Sequence, residues 1–154
     1  MELHKLDNEK QVFFYEQDFY VLSNFSAFSM LWNSRRFGTS EAVYHFEKFE
    51  GTNPAIADLI HSAPSAHVAF KLAEEYKQYR RPDWDIVKFD VMRLILRAKA
   101  EQHEYVARKL EATGDRELIE DSWRDPIWGW GPDRQGLNML GKIWMEIRAE
   151  RRGQ

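Results

Sequence analysis

The residues best suited to chemistry lie in the stretch Phe37-Gly38-Thr39-Ser40-Glu41-Ala42-Val43-Tyr44-His45-Phe46-Glu47-Lys48-Phe49. It reads as a loop that turns into a helix at about 40–50. Gly38 loosens the backbone, and Thr39 and Ser40 are able to cap the free amides of a first turn. Glu41 then falls inside that turn, where the helix dipole and free N–H groups favour a charged carboxylate. Tyr44, His45 and Lys48 follow at i+3, i+4 and i+7, so an acid, a phenol, an imidazole and an amine share one helix face. Such a face is odd to bury and useful to line a site. The same pattern also fits a solvated stripe opposite a core side of Val43, Phe46 and Phe49.

A second constellation sits late in the chain, in Asp125-Pro126-Ile127-Trp128-Gly129-Trp130-Gly131-Pro132-Asp133. Acids and indoles share one loop there. An indole on a loop can stack on a flat base, or it can plug the edge of the domain. Asn138 begins the helix that follows and can offer an amide to a polar ligand or serve as an ordinary first-turn residue. Other chemistries are missing. His4, His45, His61, His67 and His103 show no metal-ligand spacing, so no metal is expected. There is no phosphate-binding glycine loop, dinucleotide fingerprint or serine elbow, and no cofactor is expected.

These residues need elements to hold them. Short apolar runs predict strands at 11–15, 29–32 and 35–37, with Asn33-Ser34 as a hairpin turn. After the helix at 40–50, Asn53-Pro54 opens a helix at 54–61. Ser62-Ala63-Pro64-Ser65 breaks it and can cap a third at 66–76, with Val68, Leu72 and Tyr76 on one face. Asp83 is placed to cap the longest helix, 84–102, through an apolar stripe of Val87, Val91, Leu94, Ile95 and Ala98. A helix at 104–112, a strand at 117–121, a loop at 122–136 and a helix at 137–151 complete the chain. Leu137, Leu140, Trp144 and Ile147 face inward on that last helix, and the basic tail from Arg151 frays. A few strands followed by many helices make a compact, mainly helical α+β domain with a small sheet.

Composition narrows the function. With 154 residues, one domain over 1–154 with a core at about 11–150 is the simplest organisation. The net charge of −3 and the lack of a basic block argue against strong nonspecific duplex binding. The absence of cysteine removes disulfides, thiolate catalysis and cysteine zinc sites. No signal run or membrane-length apolar stretch occurs, so a cytoplasmic protein without membrane attachment is expected.

Several separated stretches together resemble one family: Leu22-Ser23-Asn24-Phe25; Thr39-Ser40-Glu41 with Lys48-Phe49; Asp83-Trp84; Ala98-Lys99 with Gln102-His103; Trp128-Gly129 with Gly136-Leu137-Asn138-Leu140-Gly141; and Met145-Glu146-Ile147-Arg148. Their order and spacing over about 11–150 are similar to the NADAR family, also called YbiA-like. The resemblance implies a YbiA-like α+β fold and N-glycosidase chemistry at the bond between ribose C1′ and a nitrogen. It associates two substrate groups with the chain: ribosylaminopyrimidine phosphates early in riboflavin synthesis, and ADP-ribose carried on guanine. The expected partner is a small nucleotide or ADP-ribosyl molecule, with ADP-ribosylated nucleic acid as a further one. A non-catalytic module that binds ADP-ribose or nucleotides is the alternative. By position, the resemblance puts the catalytic glutamate on Glu41 and its aromatic partner on Trp84. The late acid and tryptophan fall on Asp125 and Trp128, a residue near ribose or phosphate on Asn24, and the helix-ending lysine on Lys48. The chain departs from the family at Ala42, where histidine is frequent, at His45, where glutamine is common, at Glu47, and at Ala73-Glu74.

Hydrolysis at C1′ passes through an oxocarbenium-like state that needs a nearby negative charge and an activated water. On this reading Glu41 supplies both. Lys48, Arg80 or Arg81 hold phosphate, Trp84 and Trp128 sandwich the base, and Asp125 orients it or assists the leaving nitrogen. Tyr44, His45 and Asn138 join the substrate-binding set.

Overall fold

A computed structural model describes residues 7–14 and 17–153. Its elements are β1 (Gln11–Phe14), β2 (Met30–Trp32), β3 (Arg35–Phe37), α1 (Ser40–Glu47), α2 (Pro54–His61), α3 (Ala66–Glu75), α4 (Trp84–Gln102), α5 (Glu104–Ala112), β4 (Glu117–Glu120) and α6 (Met139–Arg151). The fold is α+β and mainly helical. The strands form two separate pairs instead of a single small sheet. Tyr15, expected to end the first strand, and His4 lie outside the described residues. The chain divides into two units, Asn24–Gln102 and the two ends Met1–Ser23 with His103–Gln154.

In the central unit β2 and β3 pair antiparallel, with Met30 opposite Phe37. The turn residues Asn33 and Ser34 both have positive φ, 51° and 61°. That is the mirror-image turn whose twist suits a two-residue hairpin. Helix α1 starts where the side chain of Thr39 accepts a hydrogen bond from Ala42 N at 3.1 Å. It buries Val43, Phe46 and, just past its end, Phe49, and it packs against α2, α3 and α4. In α3 the buried positions are Ala69 and Ala73. Val68, Leu72 and Tyr76, expected on one face, are half-buried flanks. Small residues at that contact let α3 lie close to its neighbours.

Helix α4 corrects another expectation. Its buried residues are Trp84, Met92, Ile95, Leu96, Lys99 and Ala100, whereas Leu94 is 55% exposed. The helix is apolar around much of its circumference, and Lys99 within the buried stripe disguises which side faces in. Asp83 does hold the starting position, its carbonyl accepting from Ile86 N and Val87 N. Its carboxylate, however, pairs with Arg81.

In the unit of the two ends, β1 and β4 pair parallel, with Gln11 opposite Glu117 and Phe14 opposite Glu120. Val12, Phe14 and Leu118 are fully buried. Helix α6 lies against β4, and its Trp144 Nε1–H donates to Leu22 O at 2.9 Å. Leu137 stands outside α6 and is 51% exposed, so it does not join Leu140, Trp144 and Ile147 in the core. The tail is anchored as well: Arg152 donates to Glu111, Asp115 and Gly114 O.

The contact between α6 and β4 is close enough to require a glycine. A Cβ on Gly141 would stand 2.0 Å from Leu118 O. Gly141→Ala should therefore lower the unfolding free energy by about 2 kcal/mol or more, as overpacking does. Chemical denaturation of the variant beside wild type checks this.

Candidate functional site

Helix α1 presents the polar face that the sequence marks, and that face is buried. Tyr44, His45 and Lys48 all count among the buried residues. The solvated-stripe reading of these positions is therefore set aside. Burial of three polar side chains on one helix face is costly unless each finds a partner, and the contacts they do make join them to one another and to Glu41. His45 Nε2 lies 2.7 Å from Glu41 Oε1, one turn apart, with side-chain exposures of 3% for His45 and 13% for Glu41. The His45 ring meets Tyr44 edge-on at 5.3 Å and Phe70 at 5.8 Å. Lys48 Nζ stands 5.1 Å above the Tyr44 ring and 5.9 Å from the Trp84 ring, and Tyr44 and Trp84 meet at 5.0 Å. Glu41, Tyr44, His45, Lys48 and Trp84 thus form one continuous cluster.

Asn24 fixes the start of that helix. Its carbonyl accepts from Glu41 N at 3.1 Å. Its side-chain Oδ1 accepts from Ser40 Oγ at 2.8 Å, and Nδ2 donates to Met92 Sδ at 3.5 Å. The sequence expects Asn24 beside ribose or phosphate. In the structure its amide ties α1 to α4 and sets where the Glu41 backbone begins.

The electrostatics of the cluster centre on Lys48. Burial pulls its amine down to about 8, partly offset by Glu41 and Glu74, which favour the charged form, while Arg80 and Lys77 oppose it. Lys48 enters no ion pair among the described residues. Arg81 and Arg80, the other candidate phosphate ligands, are already paired with Asp83 and Asp85. Lys48 is thus the cation of this cluster best able to meet an incoming anion.

Trp84 is 1% exposed. Its faces are packed, so a stacking role would need it to be uncovered first. Lys99 was singled out in the sequence only within a matched stretch. It is fully buried on α4, donates to Ser26 Oγ at 2.9 Å and lies 5.6 Å from the Phe28 ring. Burial alone pulls its amine down to about 7. The signal available in sequence was a lysine at helical spacing from Met92, Ile95 and Leu96.

Asp125, Trp128 and Asn138 belong to the other unit and form a cluster of their own. Asp125 Oδ1 accepts from Ile127 N and Trp128 N, both at 2.9 Å, and closes a turn. The carbonyls of residues 126–130 then accept from the amides of 136–140, among them Trp128 O from Leu140 N. This lacing satisfies amides at the start of α6 that would otherwise lack partners. Asn138, in a left-handed conformation just before α6, accepts from Glu120 N and donates to Leu118 O. Its amide clamps β4. Metal-binding groups of three or more His, Asp or Glu do not occur among the described residues. No helix among them is long and apolar enough to cross a membrane.

Two outcomes follow from the buried groups. The folded pKa of Lys99 lies below its unfolded value, so the unfolded chain binds more protons between about 7 and 10.5. Stability should therefore rise with pH across that window, by up to about 1.4 kcal/mol per pH unit, and below it the full cost of the buried charge applies. Lys99→Met should flatten the rise between pH 7 and 8 in urea titrations, leaving the Lys48 contribution at higher pH. Trp84→Ala should cost about 3–5 kcal/mol of stability, measured by thermal or chemical unfolding. A loss of ligand affinity without that cost would show the indole to be a ligand plate.

The NADAR domain family model matches residues 13–152. The chain is 38% identical over 144 residues to a riboflavin biosynthesis protein of Vibrio vulnificus, covering 92% of this chain and 39% of that protein. It therefore spans well under half the length of that relative. It is 36% identical over 142 residues to an N-glycosidase of Nostoc punctiforme, covering 90% of this chain and 91% of that one. It is 33% identical over 133 residues to the N-glycosidase YbiA of Escherichia coli, covering 86% and 82%. The NMR structure of the E. coli protein YbiA superposes with a TM-score of 0.85 at 31% identity, covering 96% of this chain and 88% of that one. Agreement in order, extent and fold leaves one conclusion: the chain belongs to the NADAR family.

Proposed function

We propose that this chain is an N-glycosidase, a hydrolase that cleaves the bond between ribose C1′ and a nitrogen in a nucleotide-type substrate, with Glu41 as the reacting carboxylate. The observation that carries this reading is the placement of Glu41. It sits in the first turn of α1, with its backbone amide tied to Asn24. Its carboxylate is held by His45 and keeps some contact with solvent. The N-glycosidase relatives that cover most of the chain support the same reaction class.

In the proposed reaction the C1′–N bond breaks with its electron pair leaving on nitrogen. Positive charge builds on C1′ and O4′. The Glu41 carboxylate stabilises that charge and takes the proton of the water whose oxygen adds to C1′. The departing nitrogen takes up a proton and Glu41 releases the one it took, so the sum is one water added across the C1′–N bond. Lys48 meets the substrate's phosphate, and an anion there favours its charged form. We treat residues 1–154 as one functional domain, a reading supported by a single family match that runs through both units.

Two substrate classes share this chemistry. Ribosylaminopyrimidine phosphates are supported by the Vibrio relative and by a chloroplastic maize relative named for riboflavin biosynthesis, 31% identical over 120 residues. ADP-ribosylguanine, free or in nucleic acid, is supported by the family resemblance. Incubation with each, followed by chromatography of the released base or amine, chooses between them. Glu41→Gln should lower turnover by about 10²–10⁴-fold while substrate binding, followed by calorimetry, survives. Wild-type release by that variant would remove Glu41 from the reaction. Binding without product by the wild-type chain would make it a nucleotide-binding module instead.

A further inference from the structure

We infer that His45 is a positioning residue that holds the Glu41 carboxylate in its reactive orientation through Nε2–H, and that it does not itself contact substrate. This rests on Glu41 being the reacting carboxylate. The geometry begins with the 2.7 Å contact between His45 Nε2 and Glu41 Oε1. One proton must lie in that contact. The other ring nitrogen, Nδ1, is buried and makes no hydrogen bond among the described residues. That asymmetry fixes the tautomer. A proton on Nδ1 alone would leave a buried N–H with no acceptor, and Nε2 could then bond only a protonated Glu41; a proton on both nitrogens would keep the Nε2 donor but still bury that N–H without an acceptor. A bare Nδ1 leaves only a lone pair without a donor, the milder of the two defects. The neutral ring with hydrogen on Nε2 therefore satisfies the site best, and in that form it always donates to Glu41.

The surroundings keep the ring in place. Tyr44 and Phe70 meet it edge-on, and the ring sits one helical turn from the residue it serves. Its 3% exposure against 13% for Glu41 places it behind the carboxylate, as seen from solvent. A carboxylate pinned by one oxygen loses rotamer freedom and presents the other in a fixed direction. This assigns the otherwise unexplained orphan nitrogen a cause: Nδ1 is the cost of fixing the donor on the opposite side of the ring.

The role separates from a structural one because leucine removes the donor and the orphan nitrogen together. His45→Leu should therefore fold with a melting temperature no more than about 4 °C below wild type. It should lose roughly 10- to 100-fold in kcat, with KM within about threefold. His45→Gln, which keeps an N–H donor, should recover kcat to within about fivefold of wild type. Both variants are assayed with ribosylaminopyrimidine phosphate and ADP-ribosylguanosine in parallel, beside Glu41→Gln. Long-range ¹H–¹⁵N spectra of the wild-type imidazole should show hydrogen on Nε2 and none on Nδ1. A proton on Nδ1 with none on Nε2 overturns the inference, and that measurement needs no activity and no variant that folds. Full kcat in His45→Leu alongside an inactive Glu41→Gln overturns the positioning role alone. Full turnover by Glu41→Gln overturns both this role and the reaction on which it rests.

Discussion

A carboxylate drawn into a protein needs surroundings that stand in for the water it has lost. Around Glu41 the groups act partly on the acid and partly on the backbone that carries it. Thr39 caps the turn, and the dipole of α1 points its positive end at the acid. Asn24 takes the Glu41 amide and so fixes the backbone from which the side chain extends, while His45 Nε2 lies 2.7 Å from one carboxylate oxygen. The rest of the central unit follows from holding these pieces. Asn24 reaches both Ser40 and Met92, so α4 must lie close to the start of α1. Alanines on α3 permit close approach on another side.

The unit of the two ends solves a different problem by similar means. Two four-residue strands give little pairing energy, and an isolated pair is marginal. Backbone and side-chain amides do the rest. Asn138 clamps β4, the carbonyls of 126–130 take the amides entering α6, and Arg148 bonds Thr113 and the carbonyl of Arg116. The loop that the sequence marks for its tryptophans is thus bound up with the fold. Trp130 donates to Asp121 and packs on Phe13, whereas Trp123 stays exposed beneath Arg124.

Local signals were legible in the sequence, and relations between elements were less so. Thr39, Ser65 and Pro54 mark helix starts because capping and a fixed φ act within a few residues. The Asn33-Ser34 turn was readable for the same reason, and the strand read over 117–121 ends at Glu120. The inward face of α4 was not, since a helix with apolar residues on most sides gives no single stripe and Lys99 breaks the one it uses. The polar face of α1 could be drawn from spacing, but its burial could not: that depends on Trp84 and Phe70, distant in sequence. The contact between His45 and Glu41 is implied by their separation, whereas the solitary Nδ1 is visible only once the neighbours are placed. Asn138 was readable as a polar residue near a helix start. Its left-handed conformation and its grip on β4 required the partner strand.

The pairing of β1 with β4 joins residues such as Gln11 and Glu117, 106 positions apart, while Asn24–Gln102 forms from one uninterrupted segment. Such distant pairing is slow because a long loop must close before any bond rewards it. During synthesis the central segment leaves the ribosome as one piece, whereas β1 emerges before it and must wait for a strand made much later. The cluster around Glu41 can therefore take shape while β1 is still without its partner strand. Over that interval Val12, Phe13 and Phe14 form an uncovered apolar edge, the stretch of this chain with most to gain from a chaperone.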